Sequence, residues 1–379
     1  MVFALPLLNY NHLLEAHFHF GFGGWVTLII MTLFVYELLP EKQNKKPIYQ
    51  WLLGGIALFS WSMLLTFLIW GYNISSVIAS ICFVILTYFF GLIFIRDLLK
   101  AKLESSVVLL AISSIVCLIL SSSGSFIITY IVFTKSFDAI LYRDALFTYL
   151  HFQYNGFFTL AIFALLFKHI GQSTTIRGNK NIRRFSIVLC ISIMPSLFLS
   201  YLWQDPNMWF RIFAIIGSFC LLLTFYFFLL STLSLRTIYK VEKPVLRFLL
   251  LLSFGSFMLK VFLQSLTIFP VIGNEIFGNR PIIMGFLHLV FLGFVTLFML
   301  AYFIKKELMN SKIKLTNIAV IVFATAVIFN EVLLITQGFA TMYTAGNIIF
   351  PWLLWITGIF LFTGSLLIAI ARMKTRELI

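Results

Sequence analysis

Eleven long apolar stretches limit the possible folds of this chain more than any other feature. A helix that crosses the hydrocarbon core of a bilayer needs about 20 apolar residues. The stretches cover residues 15–39, 49–71, 75–95, 105–133, 142–167, 185–203, 209–234, 246–269, 281–304, 315–336 and 346–370. The sequence therefore predicts an all-α polytopic bundle of about eleven transmembrane helices, here called spans 1 to 11. We expect them to form a single integral-membrane domain over residues 1–379.

The composition excludes a soluble protein. Of the 379 residues, 61% are hydrophobic and only 11% are charged. A soluble domain of this length needs a largely polar exterior, which this composition cannot supply. The apolar runs are unbroken and lack the alternation of a membrane β-barrel. We therefore expect the lipid bilayer to be the main partner of the chain.

The basic residues predict how the helices are oriented. The formal net charge is +14, and the lysines and arginines collect after spans 1, 3, 5, 7 and 9 and in the tail after span 11. Cytoplasmic loops of membrane proteins carry such an excess of basic residues. The sequence thus predicts an outside N-terminus and an inside C-terminus. It also explains the positive charge without a nucleic-acid partner.

One histidine-containing sequence motif occurs three times, and successive copies are four spans apart. His19 begins HFGFGGWVTL, His151 begins HFQYNGFFTL and His288 begins HLVFLGFVTL. These copies lie on spans 1, 5 and 9, which run in the same direction. Counted from the span starts, His151 and His288 lie roughly 10–14 Å below the outer boundary, and His19 does too if its helix begins near Leu8. The repeat predicts quasi-threefold four-helix arcs with one helix missing.

Two roles are open for a histidine inside a membrane. A neutral imidazole binds haem iron or copper through one ring nitrogen. Alternatively, a packed histidine forms hydrogen bonds with a neighbouring helix. Three histidines in one motif at one depth favour metal or haem ligands. The glycine five residues after each histidine is expected to allow close helix packing.

Three segments carry a resemblance to a known family. They are His19 to Pro40-Glu41 on span 1, Leu150-His151-Phe152-Gln153-Tyr154-Asn155-Gly156 on span 5, and Phe286-Leu287-His288-Leu289-Val290-Phe291-Leu292-Gly293 on span 9. They resemble the second, sixth and tenth helices of the catalytic subunit of the haem–copper oxidase superfamily, especially the nitric oxide reductase large subunit. That family has twelve helices in pseudo-threefold arcs. Deleting its first helix gives eleven spans that start outside.

The resemblance implies specific ligands. His19 and His288 would be the axial ligands of one low-spin b-type haem, and His151 would be a ligand of copper or non-haem iron. The family's His-x-His pair is Phe286-Leu287-His288 here, and Phe185–Trp203 on span 6 has no histidine where the family has two. The centre that reduces oxygen or nitric oxide is therefore expected to be incomplete.

Other polar residues near or within the spans have two interpretations each. His17, like His12, could join His151 in a copper site or lie exposed at the interface. Lys260 and Glu331 are expected to pair with each other, with a proton route or neutralisation of haem propionates as the alternative. Arg143 could meet propionates or anchor its helix at the membrane surface.

The expected function is that of a haem-binding redox protein in a prokaryotic cytoplasmic membrane. It would carry out electron transfer or chemistry of oxygen or nitric oxide, with cytochrome or other redox subunits as partners. Whether it is an oxidoreductase that turns over a substrate stays open. One alternative is a haem- and copper-containing membrane protein of nitric oxide response. The other is a non-enzymatic transporter or assembly factor on the same scaffold.

Overall fold

Eleven helices in the described part of the chain are long and apolar enough to cross a membrane. The computed structural model describes residues 9–136, 138–170, 176–204, 206–240, 243–343 and 349–377. The helices are α1 (Tyr10–Leu38), α2 (Pro47–Trp70), α3 (Ile74–Leu98), α4 (Ser105–Thr134), α5 (Ala139–Ile170), α6 (Gly178–Gln204), α7 (Met208–Thr232), α8 (Pro244–Leu266), α9 (Arg280–Lys305), α10 (Lys314–Thr341) and α11 (Ile349–Thr375). This confirms the predicted polytopic helical bundle. The orientation of the termini and the quasi-threefold arcs stay predictions.

Local sequence explains where several helices begin. Pro47 and Pro244 are the first residues of α2 and α8. Proline suits a helix start because its fixed φ matches the helix and its missing N–H would have had no intrahelical partner. The side chain of Asn9 accepts a hydrogen bond from the backbone N–H of Asn11 and caps α1. Because α1 begins at Tyr10, His19 is the tenth residue of the helix.

The chain divides into two compact units. The first extends to Gln204 and contains α1–α6, and the second extends from Asp205 to Ile379 and contains α7–α11. The prediction of a single domain over residues 1–379 stays a prediction. In the first unit, α5 is the central helix. Of the residues in its most apolar 18-residue stretch, 94% are buried, against 33% for the same length of α3. The repeat copy around His151 therefore lies in a core, surrounded by protein.

The outer faces of the bundle are apolar. The exposed large side chains of α2 include Leu58, Trp61, Leu65 and Ile69. Their spacing of three or four residues places them along one face of the helix. An apolar stripe that faces outward needs a hydrocarbon environment, as a membrane supplies. The structure thus agrees with an integral membrane protein in contact with lipid.

A buried ionic contact joins α2 to α3 at one end of the first unit. The carboxylate of Asp97 is fully buried and accepts hydrogen bonds from Lys46 Nζ at 2.6 Å and from the Tyr49 hydroxyl at 3.0 Å. Lys46 precedes α2, and Asp97 is near the end of α3. The contact fixes the relative position of these two helix ends.

Candidate functional site

All three repeat copies contain a π-helical segment of eight residues. The segments are Phe20–Thr27, His151–Phe158 and Leu289–Thr296, so each begins at or directly after the repeat histidine. The Thr159 hydroxyl donates to the carbonyl of Tyr154 at 2.5 Å, and the Thr296 hydroxyl donates to that of Phe291 at 2.9 Å. The apolar pattern of the sequence does not reveal these segments. π-Helical turns are rare and occur often at functional sites.

The repeat glycines allow close approach of a neighbouring helix. A Cβ at Gly156 would overlap the Cys117 side chain, and a Cβ at Gly293 would lie 2.7 Å from Ser256 Oγ. At Gly24 the nearest atom of another helix is the Cβ of Ser60, at 3.2 Å. The predicted packing role of these glycines is confirmed. Each of them meets a small side chain on a neighbouring helix.

His19, on α1 of the first unit, lies against aromatic side chains of α2 and of the turn that follows it. Its ring stacks on the ring of Phe67, with centroids 4.1 Å apart and planes 8° apart, and the edge of Tyr72 is 6.4 Å away. Burial raises the pKa of Tyr72, so its hydroxyl stays uncharged. Within the described residues, the His19 ring nitrogens make no hydrogen bond. Stacking therefore orients this imidazole without occupying either nitrogen.

His288 is the ninth residue of α9, in the second unit. Its Nδ1 lies 2.9 Å from the carbonyl oxygen of Met284, one turn earlier. Because a carbonyl can only accept, Nδ1 carries the proton and donates it. The neutral ring then has its lone pair on Nε2. Haem- and metal-binding histidines commonly have this arrangement, with one nitrogen donating to the backbone and the other available to the metal.

His151 differs from the other two histidines because protein groups bind both of its nitrogens. The side chain is fully buried on α5. Its Nε2–H donates to the Ile193 carbonyl at 2.8 Å, and its Nδ1 accepts from Asn155 Nδ2 at 3.0 Å. A metal could reach Nδ1 only if Asn155 moved away. In this geometry His151 serves as a bridge between α5 and α6.

The two histidines near the start of α1 have separate surroundings. His17 is exposed on the helix surface. The His12 ring packs on the backbone of Gly71, where a Cβ would lie 2.6 Å from its Cδ2. Gly71 also has a positive φ of 61°, which favours glycine at this turn. Among the described residues, no group of three or more His, Cys, Asp or Glu side chains has the geometry of a metal site.

Arg143 and Asp144 belong to a network that holds the end of α6. The Arg143 guanidinium lies 4.2 Å from the centroid of the Trp203 ring. The Asp144 carboxylate accepts from Trp203 Nε1 at 3.1 Å and from Gln204 Nε2 at 2.8 Å. These contacts give both charged residues structural roles in the first unit.

Lys260 and Glu331 are the buried charged side chains of the second unit's described helices. Lys260 is 2% exposed and Glu331 is 8% exposed. The prediction that they pair is wrong, because no ion pair within 4.0 Å joins them in the described structure. Glu331 Oε1 instead accepts from Asn330 Nδ2 at 3.2 Å, while Oε2 is buried without a partner.

Comparison with known proteins does not assign the chain to a family. No family model matches it, and no curated protein matches it significantly.

Proposed function

We propose that this protein is a haem-binding membrane redox protein in which His19 and His288 would each be a ligand of b-type haem. The resemblance of three helices to the haem–copper oxidase catalytic subunit supports the proposal. We further propose a prokaryotic cytoplasmic membrane as its location and cytochrome or other redox subunits as its partners. Electron transfer is the proposed activity because it needs no catalytic group or cofactor besides the haem.

The observation that carries this proposal is the hydrogen bond from His288 Nδ1 to the carbonyl of Met284. It fixes the neutral tautomer that carries its proton on Nδ1 and its lone pair on Nε2, the form in which histidine binds iron. His19 fits the same role because its ring is oriented by Phe67 and neither nitrogen is engaged within the described residues. Both histidines directly precede a π-helical segment.

When bound, a haem supplies one-electron chemistry with a potential set by its ligands and surroundings. The chain's own contribution would be orientation and exclusion of water. The backbone carbonyl of Met284 holds the His288 ring, and stacking on Phe67 holds the His19 ring. The proposal does not extend to a metal at His151, since both of its nitrogens are already bonded.

The proposal is tested with protein expressed with supplied haem and purified in detergent. We expect a reduced-minus-oxidised spectrum with low-spin b-type bands in the wild type. The variants His288→Ala and His19→Ala should lose those bands. The matched control His169→Ala changes an exposed histidine outside the repeat and should keep them.

Absence of any haem band from folded wild-type protein would overturn the proposal. Retention of the low-spin bands in both ligand variants would reject the ligand assignment. Copper analysis of the same samples separates plain electron transfer from a haem- and copper-containing protein of nitric oxide response. Folded protein with neither cofactor would favour a transporter or assembly factor.

A further inference from the structure

Lys260 on α8 and His288 on α9 lie at the same level of two packed helices in the second unit. The hydroxyl of Ser253 on α8 donates to the carbonyl of Phe294 on α9 at 2.7 Å, and the rings of Phe257 and Phe294 are 5.1 Å apart. Lys260 continues this stripe one turn after Phe257, since residues three and four apart share a helix face. A Cβ at Gly293 would lie 2.7 Å from Ser256 Oγ; Lys260 is four residues after Ser256, and His288 is five residues before Gly293. The antiparallel register therefore places Lys260 level with His288.

Glu331 reaches the same level from the other neighbouring helix. A Cβ at Gly285 on α9 would lie 3.3 Å from the Cβ of Leu334 on α10, and Ile282 contacts Gly338 one turn further. Three residues back from Leu334 is Glu331, and three residues on from Gly285 is His288. Two residues that normally carry charge thus lie level with one candidate haem ligand.

The amino group of Lys260 has no anionic partner in the described structure. It makes no hydrogen bond or ion pair there, and its nearest ring contact, Phe257, lies 5.9 Å from Nζ, near the outer limit of a cation–π interaction. Glu331 is the one acidic side chain on the described helices α7–α11, and it is not within ion-pair distance of Lys260. One turn after Lys260, the side-chain oxygen of Gln264 is also buried without a partner.

A buried lysine without an anion is unfavourable, most of all inside a membrane. The described helices therefore place no negatively charged group within ion-pair distance of Lys260. A b-type haem carries two carboxylate side chains, and an ammonium–carboxylate contact is strong where water is excluded. Helices in contact lie about 8–10 Å apart, so a cofactor held by His288 would come close to the adjoining face of α8.

We propose that Lys260 binds a carboxylate of the haem held by His288. The inference rests on the proposed function, and it assigns a cofactor-binding role to a residue outside the repeat. Glu331 is the competing partner, since a small rearrangement of the lysine side chain would bring the two closer.

The test compares two cofactors on the purified, haem-depleted full-length protein. One is b-type haem, and the other is its dimethyl ester, which has the same iron and ring but no free carboxylates. Dissociation constants are measured by absorbance for the wild type and for the single variants Lys260→Met and Lys260→Arg. They are also measured for the double variant that combines Glu331→Gln with Lys260→Met. Lys135→Met, at an exposed turn, is the matched control.

We expect wild type and Lys135→Met to bind haem at least about tenfold more tightly than the ester. Lys260→Met should lose this preference, and Lys260→Arg should retain most of it. The inference is overturned if wild type shows no preference or if Lys260→Met keeps it. It is also overturned if the loss in Lys260→Met disappears when Glu331 is neutralised, because the partner of Lys260 is then Glu331.

These results are distinct from failure of the proposed function. If haem and ester bind equally well to every variant, the protein still binds haem through its histidines and only the role of Lys260 is rejected. If neither cofactor binds to any folded variant, both the proposed function and this inference are wrong.

Discussion

At the scale of single residues, the three repeat histidines are equivalent in sequence and different in structure. The repeat could identify all three as unusual, because an ionisable group within an apolar span is itself a signal. It could not separate them, since their ring contacts come from distant residues. Ile193, which accepts from His151, is 42 positions away in the sequence. The contacts of His151 with α6 depend on tertiary packing that no local pattern records.

The bonding of His151 predicts a structural role for this residue. The variant His151→Ala would leave the Asn155 amide without its histidine acceptor in a buried core, while the Ile193 carbonyl keeps the hydrogen bond from Ser196 Oγ at 3.2 Å. We expect a loss of about 1–3 kcal/mol for the unsatisfied amide, with a further loss from the cavity. Unfolding by denaturing detergent would measure it, with His169→Ala as the control. Haem bands per folded molecule should stay unchanged, and a variant that folds normally but loses haem would contradict this role.

At the scale of elements, the repeat encodes a local distortion that apolar patterning did not reveal. Hydrophobic periodicity identifies helices, but it does not distinguish an α-helical turn from a π-helical one. The π-helical segments also change the angle between each histidine and the glycine five residues later. In an ideal α-helix, residues five positions apart lie about 140° apart around the axis, and π-helical i→i+5 bonding brings the two positions closer to one face. The recurring glycine and threonine were the available signals.

Close packing at the repeat glycine predicts a large effect of one methyl group. In Gly156→Ala the new Cβ would overlap Cys117 on α4. Relieving this contact requires a backbone shift, for which we expect a loss of about 1–3 kcal/mol in unfolding free energy. Gly54→Ala is the matched control, because no atom lies within 4 Å of its added Cβ. Alanine is also the better helix former, so the control should be neutral or slightly stabilising. Equal stability of the two variants would contradict the packing argument.

At the scale of the whole molecule, span length was the most reliable signal in the sequence. All eleven predicted spans coincide with helices, because the need to hydrogen-bond the backbone within lipid leaves few other structures for long apolar runs. The central position of α5 was not predicted. Its polar residues, including Gln153 and Asn155, are buried by neighbouring helices. Which helix lies at the centre depends on packing between helices, and hydropathy along one helix does not report it.

The alternation of basic turns predicts the orientation of all eleven helices in the membrane. Lys45 follows α1, Lys135 follows α4 and Lys374 lies near the end of α11. Each of these three lysines is replaced by cysteine in a separate variant. Labelling of the new cysteine by a membrane-impermeant maleimide is then measured in intact cells. By the positive-inside rule, Lys135→Cys should be labelled, while Lys45→Cys and Lys374→Cys should react only after permeabilisation. The parent protein, whose four cysteines all lie within the membrane helices, measures the background. Labelling of Lys374→Cys in intact cells would reverse the orientation. It would also move His19, His151 and His288 to the cytoplasmic half of the membrane, so this experiment decides on which side a haem partner must dock.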